Sequence, residues 1–253
     1  MIDLYEKVEQ VFSILHEYEP NDGYYLAFSG GKDSIVSYDL LKRAGVKFDS
    51  HYQFTSVDPP ELVAFIKEHY HDVEIHKPEK TMFQLVEKNG FPSLWRRWCC
   101  SILKEGGGSG RIVITGIRAA ESSKRSKRNQ FETSKTDKSK RFIHIIFDWT
   151  DEEIWHYIRS LNMQYCVLYD EGWKRIGCIG CPMATKKEIK VQFERYPNYK
   201  KAYINSIQRL INNKPSKHFG KDAELFFEWW ISRKSTDQFF AEKQQKMIDF
   251  NDI

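Results

Sequence analysis

Residues 24–34 read YYLAFSGGKDS, and this stretch decides the fold. Tyr24–Phe28 is a short apolar run of the length that is typical of a buried β-strand. Two glycines and a lysine follow, and the next apolar residues recur at the spacing of a helix over residues 34–43, at Ile35, Val36, Leu40 and Leu41. The stretch therefore predicts a strand, a tight turn and a helix in succession.

The turn SGGKDS places glycines at the N-terminus of the predicted helix. Backbone N–H groups and the helix dipole point at an anion in such a turn, while its serines add hydroxyl donors and Lys32 adds a positive charge. It is not a Walker A loop, because Leu26 stands where that pattern needs glycine and Asp33 where it needs Ser or Thr. We therefore predict a phosphate-binding site formed by Ser29, Gly30, Gly31, Lys32, Asp33 and Ser34.

Short apolar strands alternate with amphipathic helices along the first half of the chain. This alternation predicts an α/β fold with a mostly parallel sheet flanked by helices. Further strands are expected at residues 48–54, 73–76, 112–117 and 143–147. Helices are expected around residues 62–66 and 82–87 and after a cap at Thr150 or Asp151.

From Thr185 onward the pattern is helical. We therefore predict a main domain over residues 1–184 and a helical C-terminal extension over residues 185–253. The aromatic residues of the extension are predicted to be mostly core, and an interface in a homo-oligomer or with a partner is the alternative use. They include Phe226, Phe227, Trp229, Trp230, Phe239 and Phe240.

Composition excludes several classes of protein. Of the 253 residues, 41% are hydrophobic and 29% are charged, which excludes a disordered or fibrous chain. No apolar run approaches the roughly 18 residues of a membrane span, and the N-terminal residues lack the layout of a signal peptide. We therefore expect a cytoplasmic protein without membrane contact. The net charge of +4 is too small to indicate a partner.

Four cysteines form two close pairs. Cys99 and Cys100 are adjacent, and Cys178 and Cys181 form a CxxC motif with glycine. Cytoplasmic thiols stay reduced, so these residues are predicted to bind metal rather than to form disulfides. The side chains of adjacent cysteines diverge, which suits the separated iron corners of a 4Fe-4S cluster better than a single Zn²⁺. Zinc and unligated cysteines remain the alternatives.

The remaining cysteine and the histidines receive no chemical role at this stage. Cys166 lies alone in an apolar stretch and is predicted to be a small buried residue. The histidines show no HxxxH or comparable ligand spacing. His69, His71 and His76 are expected on a solvated helix end and strand.

Two of these motifs resemble known families. SGGKDS after a strand resembles the PP-loop of the ATP pyrophosphatase superfamily, which grips pyrophosphate and supports adenylyl transfer. The cysteine pattern resembles that of adenylylsulfate and phosphoadenylylsulfate (PAPS) reductases, and the similarity runs from about Tyr24 to Thr185. It implies a Rossmann-like fold of the adenine nucleotide alpha hydrolase type. It also implies a 4Fe-4S cluster beside the nucleotide site, held by Cys99, Cys100, Cys178 and Cys181.

The resemblance extends to the arginines. The segment TGIRAAES at residues 115–122 is similar to the substrate segment of the reductases, and a basic stretch follows it up to Arg141. In the family, such arginines contact phosphate or sulfate groups. The matching positions here are Arg118, Arg125 and Arg128, and a solvated basic surface is the alternative for the stretch.

One departure affects the expected mechanism. The reductases attack sulfur with a cysteine on a C-terminal tail, and residues 182–253 contain none. The PP-loop component of DNA phosphorothioation systems resembles this pattern. That resemblance implies an ATP pyrophosphatase with Lys32, Asp33 and Arg118 as catalytic residues and Asp58 at ribose or metal. It further implies Mg²⁺, a DNA acceptor and a cysteine desulfurase as sulfur donor. The alternatives are a sulfonucleotide reductase that produces sulfite and an iron–sulfur nucleotide-binding regulator.

Overall fold

The computed structural model describes residues 3–251, and the side chains of residues 3–245. This part of the chain divides into two compact units. Unit 1 comprises the chain up to Phe54, Pro59–Lys77 and Gly106–Ile176, and unit 2 comprises Thr55–Asp58, Pro78–Glu105 and the chain from Gly177 onward. Within residues 3–251, no helix has both the length and the apolar character that a membrane span needs.

The described residues form six strands and ten α-helices. The strands are β1 (Tyr24–Phe28), β2 (Phe48–Gln53), β3 (Val73–His76), β4 (Ile112–Ile114), β5 (Phe131–Thr133) and β6 (Arg141–Ile143). The helices are α1 (Leu4–Glu17), α2 (Lys32–Ala44), α3 (Pro60–His69), α4 (Met82–Asn89), α5 (Trp98–Leu103), α6 (Asp151–Ser160), α7 (Lys186–Arg195), α8 (Pro197–Asn213), α9 (Ala223–Ser232) and α10 (Thr236–Asn251).

All six strands belong to one sheet of unit 1, in the order β3-β2-β1-β4-β6-β5. Every neighbouring pair is parallel except β5, which runs antiparallel to β6. The strand order reverses at β1, because β2 lies on one side of it and β4 on the other. In sheets of this kind a ligand crevice opens at the carboxyl ends of the two strands that flank the reversal. The predicted α/β fold with a mostly parallel sheet is confirmed.

A single apolar cluster holds the helices of unit 1 on the sheet. Leu26 of β1, Ile35 of α2, Ile66 of α3 and Ile158 of α6 are all inaccessible to solvent within it. Burying a side chain of this size contributes about 1.5–3 kcal/mol relative to leaving it exposed. The helical spacing read from α2 therefore identifies residues that do form the core.

The predicted strands at 112–117 and 143–147 were too long. Strand β4 ends at Ile114, and β6 lies at Arg141–Ile143, before most of the predicted range. Ile145 and Ile146 are fully buried, but they lie in turns closed by backbone hydrogen bonds such as Trp149 N–H to Ile146 O at 3.1 Å. Buried apolar residues continue past the end of the hydrogen-bonded strand. The apolar pattern alone therefore does not show where a strand ends.

Unit 2 has a core of aromatic rings. The ring of Tyr203 lies 5.2 Å from those of Phe83 and Trp230 and 5.6 Å from that of Phe193. The Tyr203 hydroxyl donates to the carbonyl oxygen of Ile179 at 3.0 Å, which attaches the CxxC segment to α8. Trp230, Phe227 and Phe239 are buried, as predicted for core aromatics of the extension.

The compact units differ from the predicted division at residue 184. Residues 78–105 and 177–184 group with the C-terminal helices, because α4 packs on α8 and the Ile179 carbonyl bonds to Tyr203. Contacts between segments distant in sequence decide such a grouping, and composition does not reveal them. The outer limits of the prediction, residues 1 and 253, lie outside the described residues.

Candidate functional site

The predicted phosphate loop follows β1 directly and leads into α2. Gly30 has φ +71°, and a Cβ there would lie 2.7–2.8 Å from side-chain carbons of Ile66 and Leu62 in α3. Only glycine meets both the left-handed backbone and the close approach of α3 at this position. The loop closes where Ser34 N–H donates to Gly31 O at 2.9 Å. All six residues of the loop thus lie at the N-terminus of a 13-residue helix.

A tyrosine that the sequence did not single out contacts this loop. The backbone N–H of Lys32 donates to the hydroxyl of Tyr169 at 2.9 Å. The Ser29 and Ser34 hydroxyl oxygens lie 3.1 Å apart, so both loop serines face each other across the turn. Tyr169 lies in the segment LYDEGW at residues 168–173, more than 130 residues after the loop, and the loop sequence gives no signal for this contact.

Lys32, Asp33 and Arg118 form an ion network with Asp151. Lys32 Nζ lies 3.1 Å from Asp151 Oδ1 and 3.5 Å from Asp33 Oδ2. Arg118 donates from Nε to Asp33 at 2.6 Å and from Nη2 to Asp151 at 2.8 Å. Asp33 thus contacts both of the other predicted catalytic residues, Lys32 and Arg118. Asp151, considered from the sequence only as a helix cap, joins two of them.

The two cations of the network are buried, whereas the Asp151 side chain is 57% exposed. Lys32 is 5% exposed and Arg118 is 2% exposed. Burial opposes ionisation of Asp151, but the hydrogen bond and charge of Lys32 and the charge of Arg118 outweigh it and lower the pKa of Asp151. Carboxylates on both sides therefore hold the two cations in fixed positions at the loop.

The chain after β4 approaches the same loop. A Cβ on Gly116 would lie 2.9 Å from the carbonyl carbon and oxygen of Asp33, so glycine is required for this contact. Arg118 follows two residues later, with its backbone N–H donating to Glu121 at 3.0 Å. The carboxyl ends of β1 and β4 thus bring the phosphate loop and Arg118 together at the reversal of strand order.

The other two predicted arginines each pair with a glutamate. Arg125 pairs with Glu121, and Arg128 with Glu132. Burial, followed by the charge of Arg175, lowers the pKa of Arg125 to about 10, with Arg128 and Arg118 acting in the same direction and Asp33 against it. Arg175, Arg128 and Arg118 therefore lie within electrostatic range of Arg125. Arg175 was missed from the sequence.

Asp58 belongs to unit 2, apart from the residues of the loop in unit 1. Its side chain is 3% exposed and accepts from Thr55 N–H at 2.6 Å and from Thr55 Oγ1 at 2.8 Å. Thr55 Oγ1 also lies 3.4 Å from Cys178 Sγ. The contacts of Asp58 thus fix a turn that borders the cysteines, and its predicted role at ribose or metal stays a prediction.

Unit 2 contains all four predicted metal-binding cysteines. Cys99 and Cys100 lie in the first turn of α5, and Cys178 and Cys181 flank Gly180, whose φ is +73°. A hydrogen bond from Cys99 lowers the pKa of Cys100 to about 5, and Arg97, whose guanidinium donates to Cys100 Sγ at 3.1 Å, has the same effect. Charge interactions also join Cys99 to Cys178 and Cys181. The two pairs therefore share one environment.

Cationic side chains accompany the thiols. Burial raises the pKa of Cys178, and the ammonium group of Lys104 opposes this effect. Arg233 donates to the carbonyl oxygen of Cys181 at 2.9 Å. Together with Arg97, these groups would offset the negative charge of a metal bound by four thiolates.

The spacing of the cysteine sulfurs bears on which metal the four thiols could bind. Among the described residues, no three of the four sulfurs lie within 4.8 Å of one another. Tetrahedral Zn²⁺ with Zn–S bonds of about 2.3 Å would hold its sulfurs about 3.8 Å apart. Cys99 and Cys100 are close enough for a hydrogen bond between their side chains, and the binding of a 4Fe-4S cluster by the four thiols, with zinc as the alternative, stays a prediction.

Cys166 is 1% exposed, as predicted for a small buried residue. The histidines differ from the prediction, since His76 is not simply a solvated strand residue. Its Nε2 lies 2.8 Å from Nδ1 of His51 on the neighbouring strand. The pairing of β2 with β3 creates this contact, and the linear spacing of histidines gives no signal for it.

A family of known proteins matches most of the chain. The model of the phosphoadenosine phosphosulfate reductase domain matches residues 23–184. This range includes the phosphate loop, the three predicted arginines and all four paired cysteines.

Individual proteins agree with that match. An uncharacterized protein of Methanocaldococcus jannaschii is 30% identical over 224 residues, covering 82% of this chain and 54% of the relative. The chain thus spans about half the length of that relative. The adenosine 5'-phosphosulfate reductase of Staphylococcus epidermidis is 31% identical over 199 residues, covering 71% of this chain and 79% of the relative.

A solved structure shares the fold. The phosphoadenylyl-sulfate reductase of Candida auris superposes with a TM-score of 0.51 and 21% identity, over 68% of this chain and 87% of the other. The family match covers more than half of the chain, and the Staphylococcus relative is covered over more than two thirds of its length. The chain belongs to the phosphoadenosine phosphosulfate reductase domain family.

Proposed function

We propose that the chain is a PP-loop enzyme that binds ATP and transfers its adenylyl group to an acceptor with release of pyrophosphate. The observation that carries this proposal is the ion network at the N-terminus of α2, in which Asp33 and Asp151 hold the buried cations Lys32 and Arg118. Two cations held by carboxylates beside loop N–H groups form a prearranged site for a polyphosphate.

The chemistry follows from the charge that develops during transfer. An acceptor oxygen attacks the α-phosphorus, the bond from that phosphorus to the bridging oxygen breaks, and negative charge grows on the departing pyrophosphate. Lys32 and Arg118 would stabilise that charge, since both are fixed before the substrate arrives. Asp33 and Asp151 would supply oxygen ligands to Mg²⁺, which would add positive charge beside the departing pyrophosphate. Loop residues Ser29–Ser34 would bind the pyrophosphate.

The acceptor is proposed to be anionic, with DNA as the leading candidate. Arg125 and Arg128 lie in a basic stretch near the loop, and Arg175 adds a charge to the same group. Guanidinium groups bind phosphate oxygens well. On DNA binding, Arg125 and Arg128 would leave their glutamate partners and bind phosphate oxygens instead. A cysteine desulfurase would then supply sulfur as a persulfide, whose terminal sulfur displaces AMP from the adenylylated acceptor. A dithiol reductant would cleave the remaining S–S bond and leave the sulfur on the acceptor.

The four cysteines would hold a 4Fe-4S cluster, which supplies electron transfer or a site for sulfur binding when it is present. The side chains of Arg97 and Lys104 would balance the negative charge of the cluster and its thiolates. Their contacts with Cys100 and Cys178 support this assignment.

A sulfonucleotide reductase is the second candidate, because a relative named adenosine 5'-phosphosulfate reductase is 31% identical. In that case the loop would bind a sulfonucleotide, and sulfite would be the product. The alternative in which the family fold binds nucleotide without turnover predicts neither product.

Product identification separates these functions. The anaerobically purified protein is incubated with ATP, Mg²⁺ and duplex DNA, and in parallel with adenylylsulfate or its 3′-phosphate and thioredoxin. We expect pyrophosphate from the first mixture and no sulfite from the second. Sulfite formation would establish the reductase instead, and nucleotide binding without either product would establish a regulator.

A further inference from the structure

Three side chains with metal-binding atoms lie on neighbouring strands of unit 1. The parallel register pairs His51 of β2 with Glu74 of β3 and Gln53 with His76. Side chains alternate between the faces of a sheet, so His51, Glu74 and His76 lie on the same face. One atom from each, two imidazole nitrogens and a carboxylate oxygen, all lie within 4.8 Å of one another.

The spacings are close to those of a metal site. His51 Nδ1 lies 2.8 Å from His76 Nε2 and 3.4 Å from Glu74 Oε2. Zn²⁺ binds nitrogen and oxygen ligands at about 2.0–2.2 Å, which places tetrahedral ligand atoms about 3.4 Å apart. Small side-chain adjustments would therefore bring all three ligands to one ion.

An outer carboxylate orients the most buried ligand. His51 Nε2 lies 2.6 Å from Asp49 Oδ2, and Arg111 in turn holds Asp49, with Nη2 2.5 Å from Oδ1. When Nε2 carries the proton that Asp49 accepts, Nδ1 presents its lone pair to His76 and Glu74. Histidines that bind metals are commonly fixed in this way by a carboxylate. The Tyr25 ring stacks on His51 at 4.0 Å and limits its rotation.

Access and charge also agree with an ion at this place. The Glu74 side chain is 65% exposed and that of His76 is 35% exposed, while that of His51 is 10% exposed. The group is thus open to solvent on one side and anchored on the other. A hydrogen bond between two imidazoles would explain the 2.8 Å distance alone, but it does not require Glu74 to approach His51.

We infer that His51, Glu74 and His76 bind a divalent transition-metal ion of the zinc class, with water or an anion as the fourth ligand. Imidazole and carboxylate are suitable ligands for Zn²⁺, Co²⁺ and Ni²⁺. The ion would link β3, at the edge of the sheet, to β2. This site is independent of the four cysteines, which belong to unit 2.

Cobalt titration of the full chain tests the inference. The protein is first loaded with its iron–sulfur cluster, and Co²⁺ binding is measured by equilibrium dialysis and calorimetry. We expect one ion per chain beyond the cluster metal. The variants His76→Ala and Glu74→Gln should lose it, and Asp49→Asn should weaken it by about 10–100-fold. The exposed His71 provides the matched control, so His71→Ala should bind like the parent protein.

A second protein excludes binding by thiols. In a variant with Cys99, Cys100, Cys178 and Cys181 replaced by serine, Co²⁺ should still bind and should show d–d absorption without a thiolate charge-transfer band. The inference is overturned if folded His76→Ala and Glu74→Gln, checked by circular dichroism, retain the parent's Co²⁺ stoichiometry and affinity. It is equally overturned if the cluster-loaded parent binds no Co²⁺. Neither result bears on pyrophosphate release.

Discussion

The phosphate loop and the cysteine group differ in how the chain builds them. The loop is six consecutive residues whose shape follows from glycine geometry and from the start of α2. The cysteine group joins α5 to the CxxC turn, two segments far apart in the sequence. The loop therefore keeps its shape through local backbone and packing, whereas the cysteines depend on contacts across unit 2. The difference teaches that six consecutive residues are enough to predict the loop, whereas the cysteine group depends on how distant segments of unit 2 pack.

Removal of a cysteine should have the largest effect. Cys178→Ser or Cys181→Ser is expected to abolish cluster binding, because a cubane held by four thiolates loses one iron corner. Iron and sulfide analysis after anaerobic purification measures the loss. The matched control is Cys166→Ala, since Cys166 is a buried cysteine of unit 1. Equal iron in Cys178→Ser and the parent protein would contradict the assignment.

Replacement of the loop lysine, Lys32, should lower activity severely but should leave the fold and the iron content unchanged. Lys32→Ala is expected to slow pyrophosphate release about 100–1,000-fold, the effect of removing one fixed donor from a developing anion. Initial rates with ATP and Mg²⁺ measure it. Lys67→Ala, an exposed lysine on α3, should have the parent's rate. An unchanged rate in Lys32→Ala would show that Lys32 takes no part in the reaction. Unchanged iron content in this variant would show that the phosphate loop and the cysteine group are independent.

Gly30 and Gly45 allow the cost of backbone strain to be measured separately from the cost of a steric clash. Gly30 and Gly45 have φ of +71° and +70°, but a Cβ meets α3 only at Gly30. We expect Gly45→Ala to lower the free energy of unfolding by about 1–2 kcal/mol and Gly30→Ala by about 3–4 kcal/mol. Urea denaturation of both variants gives the comparison. Equal losses would mean that α3 yields to the added methyl group.

A buried histidine in unit 1, His144, should make the stability of the protein depend on pH. Burial lowers the pKa of His144 from 6.5 to about 4, with the charge of Arg128 acting in the same direction. Between pH 6.5 and pH 4, the imidazole of His144 becomes protonated in the unfolded chain but stays neutral in the folded chain. The free energy of unfolding should therefore fall by as much as about 3 kcal/mol as the pH drops from 6.5 to 4. His144→Gln should flatten that part of the stability profile, and an unaltered slope would contradict the assignment.

Local features of the chain were predictable, and long-range ones were not. The strand Tyr24–Phe28 and the cap at Thr150, where Glu153 completes a capping box, agree with the structure because neighbouring residues determine them. Asp151, Tyr169 and Arg175 enter the loop region from elsewhere in the chain. Their residue types are common on surfaces, and only the topology of the sheet makes them functional candidates.

The pairing of strands explains the remaining difference. His51 and His76 meet only because β2 and β3 run parallel in one specific register. A shift of one residue would turn one of the two histidines to the opposite face of the sheet. Periodicity identifies strands but does not fix their register, so this cluster could not be found from spacing.

The antiparallel strand β5 has a further consequence for how the molecule behaves in a crowded solution. It ends the sheet with only three residues, Phe131–Thr133, flanked by Arg128 and Lys135. So short an edge exposes few unpaired amide and carbonyl groups, and the exposed Lys135 beside it disfavours pairing with a second copy. We therefore expect this side of the protein to resist the strand-by-strand stacking that leads to fibrils.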